Sequence, residues 1–317
     1  MRGPWPSTAS SRGHENGFET NVDVPQHLPV MVDEAMRFLE PQRGGTYVDC
    51  TVGLGGHARA LLDGGAESVI GIDRDTEALS MTTAALAFYG SRLRLTHADY
   101  RDLDAVLDTH GVTLVAGILA DLGVSSLQFD AAGRGFSFRR DEALDMRMDQ
   151  TRGATAAERL AVVEESELAD VIFQFGEERR SRRVARAIVM ARARAPIETT
   201  GQLAAIVRRA LAGKGWQRID PATRTFQALR IWVNGEIDRL DEFLRRAALR
   251  LRAGGRLVVI SFHSLEDRIV KHTFRALDRG DGVVRVLTGR PLVPGDDEIE
   301  RNPRARSAKL RVAERLA

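Results

Sequence analysis

Two periodicities divide this chain. Short runs of strand character recur at Thr46-Tyr-Val48, Val69-Ile-Gly-Ile72, Leu93-Arg-Leu-Thr-His97 and across residues 114–120, each followed by polar or small residues. Between them apolar residues return every three or four positions, as at Val32, Ala35, Met36 and Leu39. This spacing predicts helices over 28–39, from His57 through Leu62, and over 76–89. Strands alternating with helices predict a parallel sheet whose carboxyl edge carries the site.

Beyond Gly135 the pattern changes. Residues 136–148 read as a loop, Thr155-Ala-Ala-Glu158 has the form of a capping box, and two apolar stripes follow, Leu168, Val171, Ile172, Phe175 and then Val184, Ala187, Ile188, Ala191. No strand pattern interrupts them before Gly255-Arg-Leu-Val-Val-Ile-Ser261, which a helix predicted over 235–252 precedes; residues 283–287 and 310–313 read as a closing antiparallel pair. The expected fold is α/β and Rossmann-like, with a sheet domain at 25–135 and 219–317 and an all-helical insert at 136–218. Residues 1–24 offer Pro, Ser, Gly and charge with little to bury, and are expected to be a disordered extension.

Composition narrows the functional classes. The chain has 317 residues, 43% hydrophobic and 28% charged, ordinary for a soluble globular protein with a sizeable core. No apolar run reaches the length of a membrane span and no secretory signal opens the chain, so a cytoplasmic protein without a membrane partner is expected. Cys50 is the sole cysteine, which excludes an intrachain disulfide and a cysteine-based zinc site; the seven histidines are scattered, and no metal site is expected. Net charge is only +2, and nearly all cations are arginine. Codon bias in a GC-rich genome explains that excess at least as well as contact with RNA does.

The densest chemistry lies in Thr46-Tyr-Val-Asp-Cys-Thr-Val-Gly-Leu-Gly-Gly-His57 and Ser68-Val-Ile-Gly-Ile-Asp-Arg-Asp75. Strand, glycine turn, helix, second strand and an acid, Asp73, at its tip form the mononucleotide-binding half of a doubly wound fold, where the acid accepts from ribose hydroxyls. The third glycine of the dinucleotide spacing is missing, since Ala58 follows His57. That favours a methyl donor over NAD only modestly, so an NAD-type oxidoreductase stays open, as does a cofactor-binding RNA module without catalysis. Asp121, after the fourth strand, has two readings of equal weight: a turn cap, or a group that accepts from an exocyclic amine and turns its lone pair toward a methyl donor. Attack through C5 of a pyrimidine needs a cysteine nucleophile, and Cys50 at the start of the loop fits strand packing better. Phe136, Phe138 and Phe262 are candidates for stacking a base, although loop aromatics more often plug a core. His263 either orients substrate or satisfies a loop carbonyl.

Several strings together resemble one family. They are Asp49-Cys-Thr-Val-Gly-Leu-Gly-Gly-His57, Ile72-Asp-Arg-Asp75, Asp121-Leu-Gly-Val-Ser-Ser126 with Gln128, Arg134-Gly-Phe-Ser-Phe138 and Leu144-Asp-Met-Arg-Met148. Further on come Pro221-Ala-Thr-Arg-Thr-Phe-Gln-Ala-Leu-Arg-Ile-Trp-Val-Asn234, Ile260-Ser-Phe-His-Ser-Leu-Glu-Asp-Arg-Ile-Val-Lys271 and Asn302-Pro-Arg-Ala-Arg-Ser307. In this order they resemble the bacterial small-subunit ribosomal RNA cytosine-N4 methyltransferases, the MraW or RsmH family. The resemblance implies a Rossmann-like S-adenosylmethionine-dependent methyltransferase fold with a helical insert, acting on a decoding-centre cytosine of 16S rRNA within the small ribosomal subunit. It implies cofactor contacts at Gly55, Gly56, His57, Asp73, Tyr100, Asp121 and Gln128, with Asp73 on the ribose and Tyr100 beside the adenine. Oligomeric state is left open, a homodimer included. Cys50, Leu54, Tyr100, Leu127 and Asp220 depart from the family's usual residues, and none of these changes removes a group the chemistry needs.

Overall fold

Residues 29–213 and 219–317 are described in a computed structural model; the expectations for 1–24, for residue 28 and for the last residues of the insert lie outside them, and the helix expected from 28 begins only at Val32, after a turn. The first half runs α1 (Val32–Leu39), β1 (Thr46–Asp49), α2 (Gly56–Asp63), β2 (Ser68–Asp73), α3 (Thr76–Ala85), β3 (Leu93–His97), α4 (Leu103–Thr109), β4 (Val115–Asp121) and α5 (Ser126–Asp130). The sheet has strand order 3-2-1-4-5-7-6, parallel from β3 to the fifth strand. The chain thus runs outward through β2 and β3, returns to the other side of β1, and leaves a reversal of strand order between β1 and β4.

Four helices follow: α6 (Ala156–Val162), α7 (Glu165–Gly176), α8 (Ser181–Arg192) and α9 (Thr200–Leu211). The capping box at Thr155 and Glu158 forms as its sequence requires, each side chain bonded to the other's backbone N–H. The sequence reading ended the insert at 218, yet α10 (Ala222–Asn234) packs with these helices. Its Phe226, Leu229 and Val233 share one buried cluster with Leu168, Ile172, Ile188 and Leu203. Periodicity gives a helix its apolar face but not the surface that face meets, so α10 was assigned by chain position alone. Side chains of this size contribute roughly 1.5–3 kcal/mol each when fully buried, which commits α10 to the helical unit. Asp220 helps start it, accepting from the Ala222 N–H at 2.9 Å and pairing with Arg208 of α9 at 2.7 Å.

The helix expected over 235–252 is shorter. Gly235, at φ +56°, caps α10, and α11 begins only at Leu240 (Leu240–Leu249). After β5 (Leu251–Ser261) comes an unanticipated helix, α12 (Ser264–Arg279), then β6 (Val284–Val286), α13 (Asp296–Arg301) and β7 (Lys309–Arg315). β7 runs antiparallel between β5 and β6, so the expected closing pair forms and is stitched to the parallel sheet. One face of the sheet is covered by α4, α11 and α12, the other by α1, α2 and α3. Among the described residues no helix is long and apolar enough to cross a membrane.

Candidate active site

The carboxyl ends of β1, β2 and β4 open into a cleft of about 600 Å³ at the reversal of strand order, where open α/β sheets bind ligands. The glycine loop forms one wall. Gly53 and Gly55 have φ of +50° and +80°, and a Cβ on Gly55 would lie 2.6 Å from Leu86 Cδ1 and 2.8 Å from Thr82 Cγ2. On Gly56 it would lie 2.7 Å from Pro29. The glycines therefore let the loop lie against α3 and against the segment before α1. Gly53 and Gly56 line the cleft, whereas Gly55 faces α3 and acts on the loop's shape.

Asp73 stands at the tip of β2. Its Oδ2 accepts from the Gly53 N–H at 2.8 Å and its Oδ1 from the Asp75 N–H at 2.9 Å. A carboxylate oxygen has a second lone pair, so both atoms keep acceptor capacity toward the cleft. Burial raises the Asp73 pKa from its ordinary value, and the two backbone N–H bonds work against that rise.

Tyr100 is buried beside Phe243, 4.7 Å between ring centroids, and its hydroxyl donates to the Glu236 carbonyl at 2.7 Å. The hydroxyl is thus satisfied, and the ring still borders the cleft. Gln128 lines the cleft too, but its polar atoms are engaged inside the protein: Oε1 accepts from the Ser125 N–H at 3.1 Å and Nε2 donates to Asp75 Oδ2 at 2.9 Å. It fixes the rim. Arg134, which the periodicity gave no reason to single out, is only 3% exposed and donates to the same Asp75 oxygen at 2.7 Å. It ties the loop containing residues 134–148 to the start of α3. Asn234, at the end of α10, holds that loop from the other side, donating to the Met146 carbonyl and accepting from the Met148 N–H, both at 2.8 Å.

The ends of β1 and β4 bring Asp49 and Asp121 together. Asp49 is fully buried and Asp121 partly so, and Asp49 Oδ2 and Asp121 Oδ1 have no hydrogen-bond partner among the described residues. The nearest cation-forming group to Asp121 is His57, whose Nδ1 is 3.9 Å from Oδ2, beyond hydrogen-bond range. His57 Nε2 donates to the Val30 carbonyl at 2.9 Å, so in the neutral ring the lone pair sits on Nδ1 and faces Asp121. Burial, Asp49 and Glu266 push the Asp121 carboxyl well above the usual carboxylate range, and burial pushes Asp49 up to about 7. Of the two, only Asp121 lines the cleft; Asp49 lies behind the wall.

Asp49 gives a pH prediction. Its folded-state pKa lies above the unfolded value of about 3.9, so the stability it contributes is whole below that value and is lost as pH climbs through about 7. Thermal unfolding of the ligand-free chain should show this loss, and Asp49→Asn should flatten it; equal pH slopes for both proteins would refute the assignment. Cys50, buried next to Asp49, has its thiol pushed up by burial and by that neighbour, the opposite of an activated nucleophile.

The candidate substrate aromatics separate. Phe262 lines the cleft, and a Cβ on Gly123 would lie 3.4 Å from its ring. Phe136 and Phe138 do not line it: Phe136 packs edge-on against Phe129, and Phe138 against Phe226 at 4.8 Å beneath Arg208. The core-plug reading accounts for both. His263 also lies off the cleft and caps α12, its Nδ1 accepting from the Glu266 N–H at 3.3 Å. Glu236, His263 and Glu266 bring possible metal-ligand atoms within 4.8 Å of one another. Two of the groups are engaged within the protein: Arg230 grips both Glu236 oxygens at 2.8 Å, and His263 Nδ1 accepts from the Glu266 N–H, while His263 Nε2, 3.1 Å from Glu266 Oε1, makes no hydrogen bond among the described residues.

The family model of the MraW methylase family matches residues 24–316. The chain belongs to the MraW methylase family. It is 48% identical over 309 residues to a protein of Pelobacter propionicus called "Ribosomal RNA small subunit methyltransferase H", covering 92% of this chain and 99% of that one. A protein of Acidobacterium capsulatum with the same name is 50% identical over 300 residues, covering 93% and 100%. Neither the NAD-type reading nor the non-catalytic module gains support from these matches. The cofactor of this MraW methylase is S-adenosylmethionine, and the cleft fits it: an acid with free lone pairs at the tip of β2, and the Asp121 carboxyl on the wall at the end of β4.

Proposed function

We propose that this MraW methylase transfers the methyl group of S-adenosylmethionine to the N4 amine of a decoding-centre cytosine in 16S rRNA, acting on the small ribosomal subunit in the cytoplasm. The observation that carries the reading is Asp121 at the end of β4, a carboxyl that lines the cleft and has one oxygen, Oδ1, without a hydrogen-bond partner among the described residues. Full-length identity to proteins named for small-subunit rRNA methylation supports the substrate. When bound, the cofactor supplies an electrophilic methyl group on a cationic sulfur.

The chain's own residues do the rest. Asp73 accepts from the ribose hydroxyls, Gly53, Gly56 and His57 shape the wall along the donor, and Tyr100 borders the adenine. Gln128, through Asp75, keeps the rim in place. Asp121 accepts from one N4–H of the cytosine, helps turn the nitrogen lone pair out of conjugation toward the methyl donor, and stabilises the positive charge the nitrogen gains with the methyl group; the surplus proton then passes to water. Phe262 offers the base a face to stack on. The sheet unit performs the chemistry and the helical unit, with α10 included, serves the RNA; a homodimer enters no step.

Incubating the protein and labelled cofactor with small subunits that lack the modification should yield N4-methylcytidine on nucleoside analysis. Label on C5, on ribose or on adenine would overturn the proposal.

A further inference from the structure

Charge is segregated on this nearly neutral chain. The exposed positions of α12 are Arg268, His272, Arg275 and Arg279, and every exposed position of α8 except Met190 is an arginine, Arg182, Arg183 and Arg186. The acids gather elsewhere, as on the exposed face of α7 with Glu165, Glu167 and Asp170. Codon bias would scatter arginines among acids; it does not clear a helix face of them.

Among the described residues, no hydrogen bond or ion pair involves the side chains of Arg182, Arg183, Arg186, Arg275 or Arg279. Arg182 and Arg186 stand one helical turn apart, as do Arg275 and Arg279, and like charges at that spacing weaken a helix. The first turn of α8 contains no acid to offset them. Folding alone therefore gains nothing from this arrangement, and an external anion would relieve it.

The turn that leads into α8 touches the start of α12, close in sequence to the cleft. Glu177, in the turn between α7 and α8, accepts from Ser264 Oγ at 3.0 Å and pairs with Arg268 at 3.5 Å. Ser264 opens α12 two residues after the cleft residue Phe262. From that junction the cations run along α12 for about 16 Å between Arg268 and Arg279, and onto α8 on the other side.

We propose that the exposed arginines of α8 and α12 form one track for the phosphodiester backbone of the substrate RNA, with the junction at Glu177 beside the mouth of the cleft. The guanidinium fork suits phosphate oxygens, and a track beginning at the cleft holds the strands that flank an extracted base. This inference rests on the proposed rRNA substrate.

The test compares the full chain with a triple variant, Arg182→Gln with Arg183→Gln and Arg186→Gln, and a double variant, Arg275→Gln with Arg279→Gln. Binding to small subunits lacking the modification is followed over a range of salt, with cofactor affinity as the control for folding. Each lost phosphate contact lowers the slope of log K against log salt by about 0.7 for single strands, so the triple variant should lower it by about 2 and the double by about 1.4. KM for the subunit should rise on the order of tenfold in the triple variant with turnover at saturation unchanged. Unaltered slopes and KM in both variants would overturn the track. Absence of methyl transfer by the unmodified protein would remove the substrate reading instead, and the binding slopes would still decide the track.

Discussion

Asp121→Ala is expected to slow single-turnover methyl transfer by about 100- to 1,000-fold at saturating cofactor, the scale seen when one preorganised polar group is removed from a transition state. An amino group conjugated to a pyrimidine is a poor nucleophile, and the fixed acceptor at the end of β4 holds it in its reactive orientation. Asp121 lines the cleft from the end of β4, so its carboxyl is held in place by the sheet before the base arrives. Burial, Asp49 and Glu266 hold the carboxyl well above its ordinary range. The carboxylate therefore grows in as pH rises, and the single-turnover rate of the unmodified protein should rise with it, whereas Asp121→Asn should show a lower and flatter profile. A rate in Asp121→Ala equal to that of the unmodified protein would remove Asp121 from the chemistry.

The sheet was legible because its central strands are buried on both faces and read as short apolar runs. Ile70 and Ile72, or Ile118 and Leu119, have no exposed face to interrupt them. The packing of α10 was not legible, since Phe226 and Leu229 announce a buried face without saying what buries it. Site residues divide in the same way. Asp73 and Asp121 stand out because each closes a strand, and Asp49 carries the same signal at the end of β1, beside the more conspicuous glycines. Arg134 and Asn234 act by gripping backbone or carboxylates far away in sequence, which leaves no local pattern. Phe136 and Phe138 show the converse: two aromatics in a glycine-bearing loop suggest an exposed platform, and their partners Phe129 and Phe226 turn them inward.

Asp73→Ala is expected to weaken S-adenosylmethionine binding by about 100-fold or more, because hydrogen bonds to a charged acceptor contribute roughly 1.5–3 kcal/mol each and the ribose offers two donors. Loss of affinity alone would leave two explanations. Asp73 also accepts from the Gly53 and Asp75 N–H groups, so its removal releases the glycine loop and costs affinity through the shape of the cleft. Asn is no cleaner a probe, since its NH2 cannot accept from one of those two donors. A cofactor analogue lacking the ribose 2′-hydroxyl separates the explanations through a double-mutant cycle. If Asp73 holds the ribose, removing the hydroxyl weakens binding to the unmodified protein and adds little in Asp73→Ala, because the interaction is already gone. If Asp73 acts only on the loop, the two losses add in full, and additive losses measured by calorimetry would refute the ribose role while leaving Asp73 as the brace of the glycine turn.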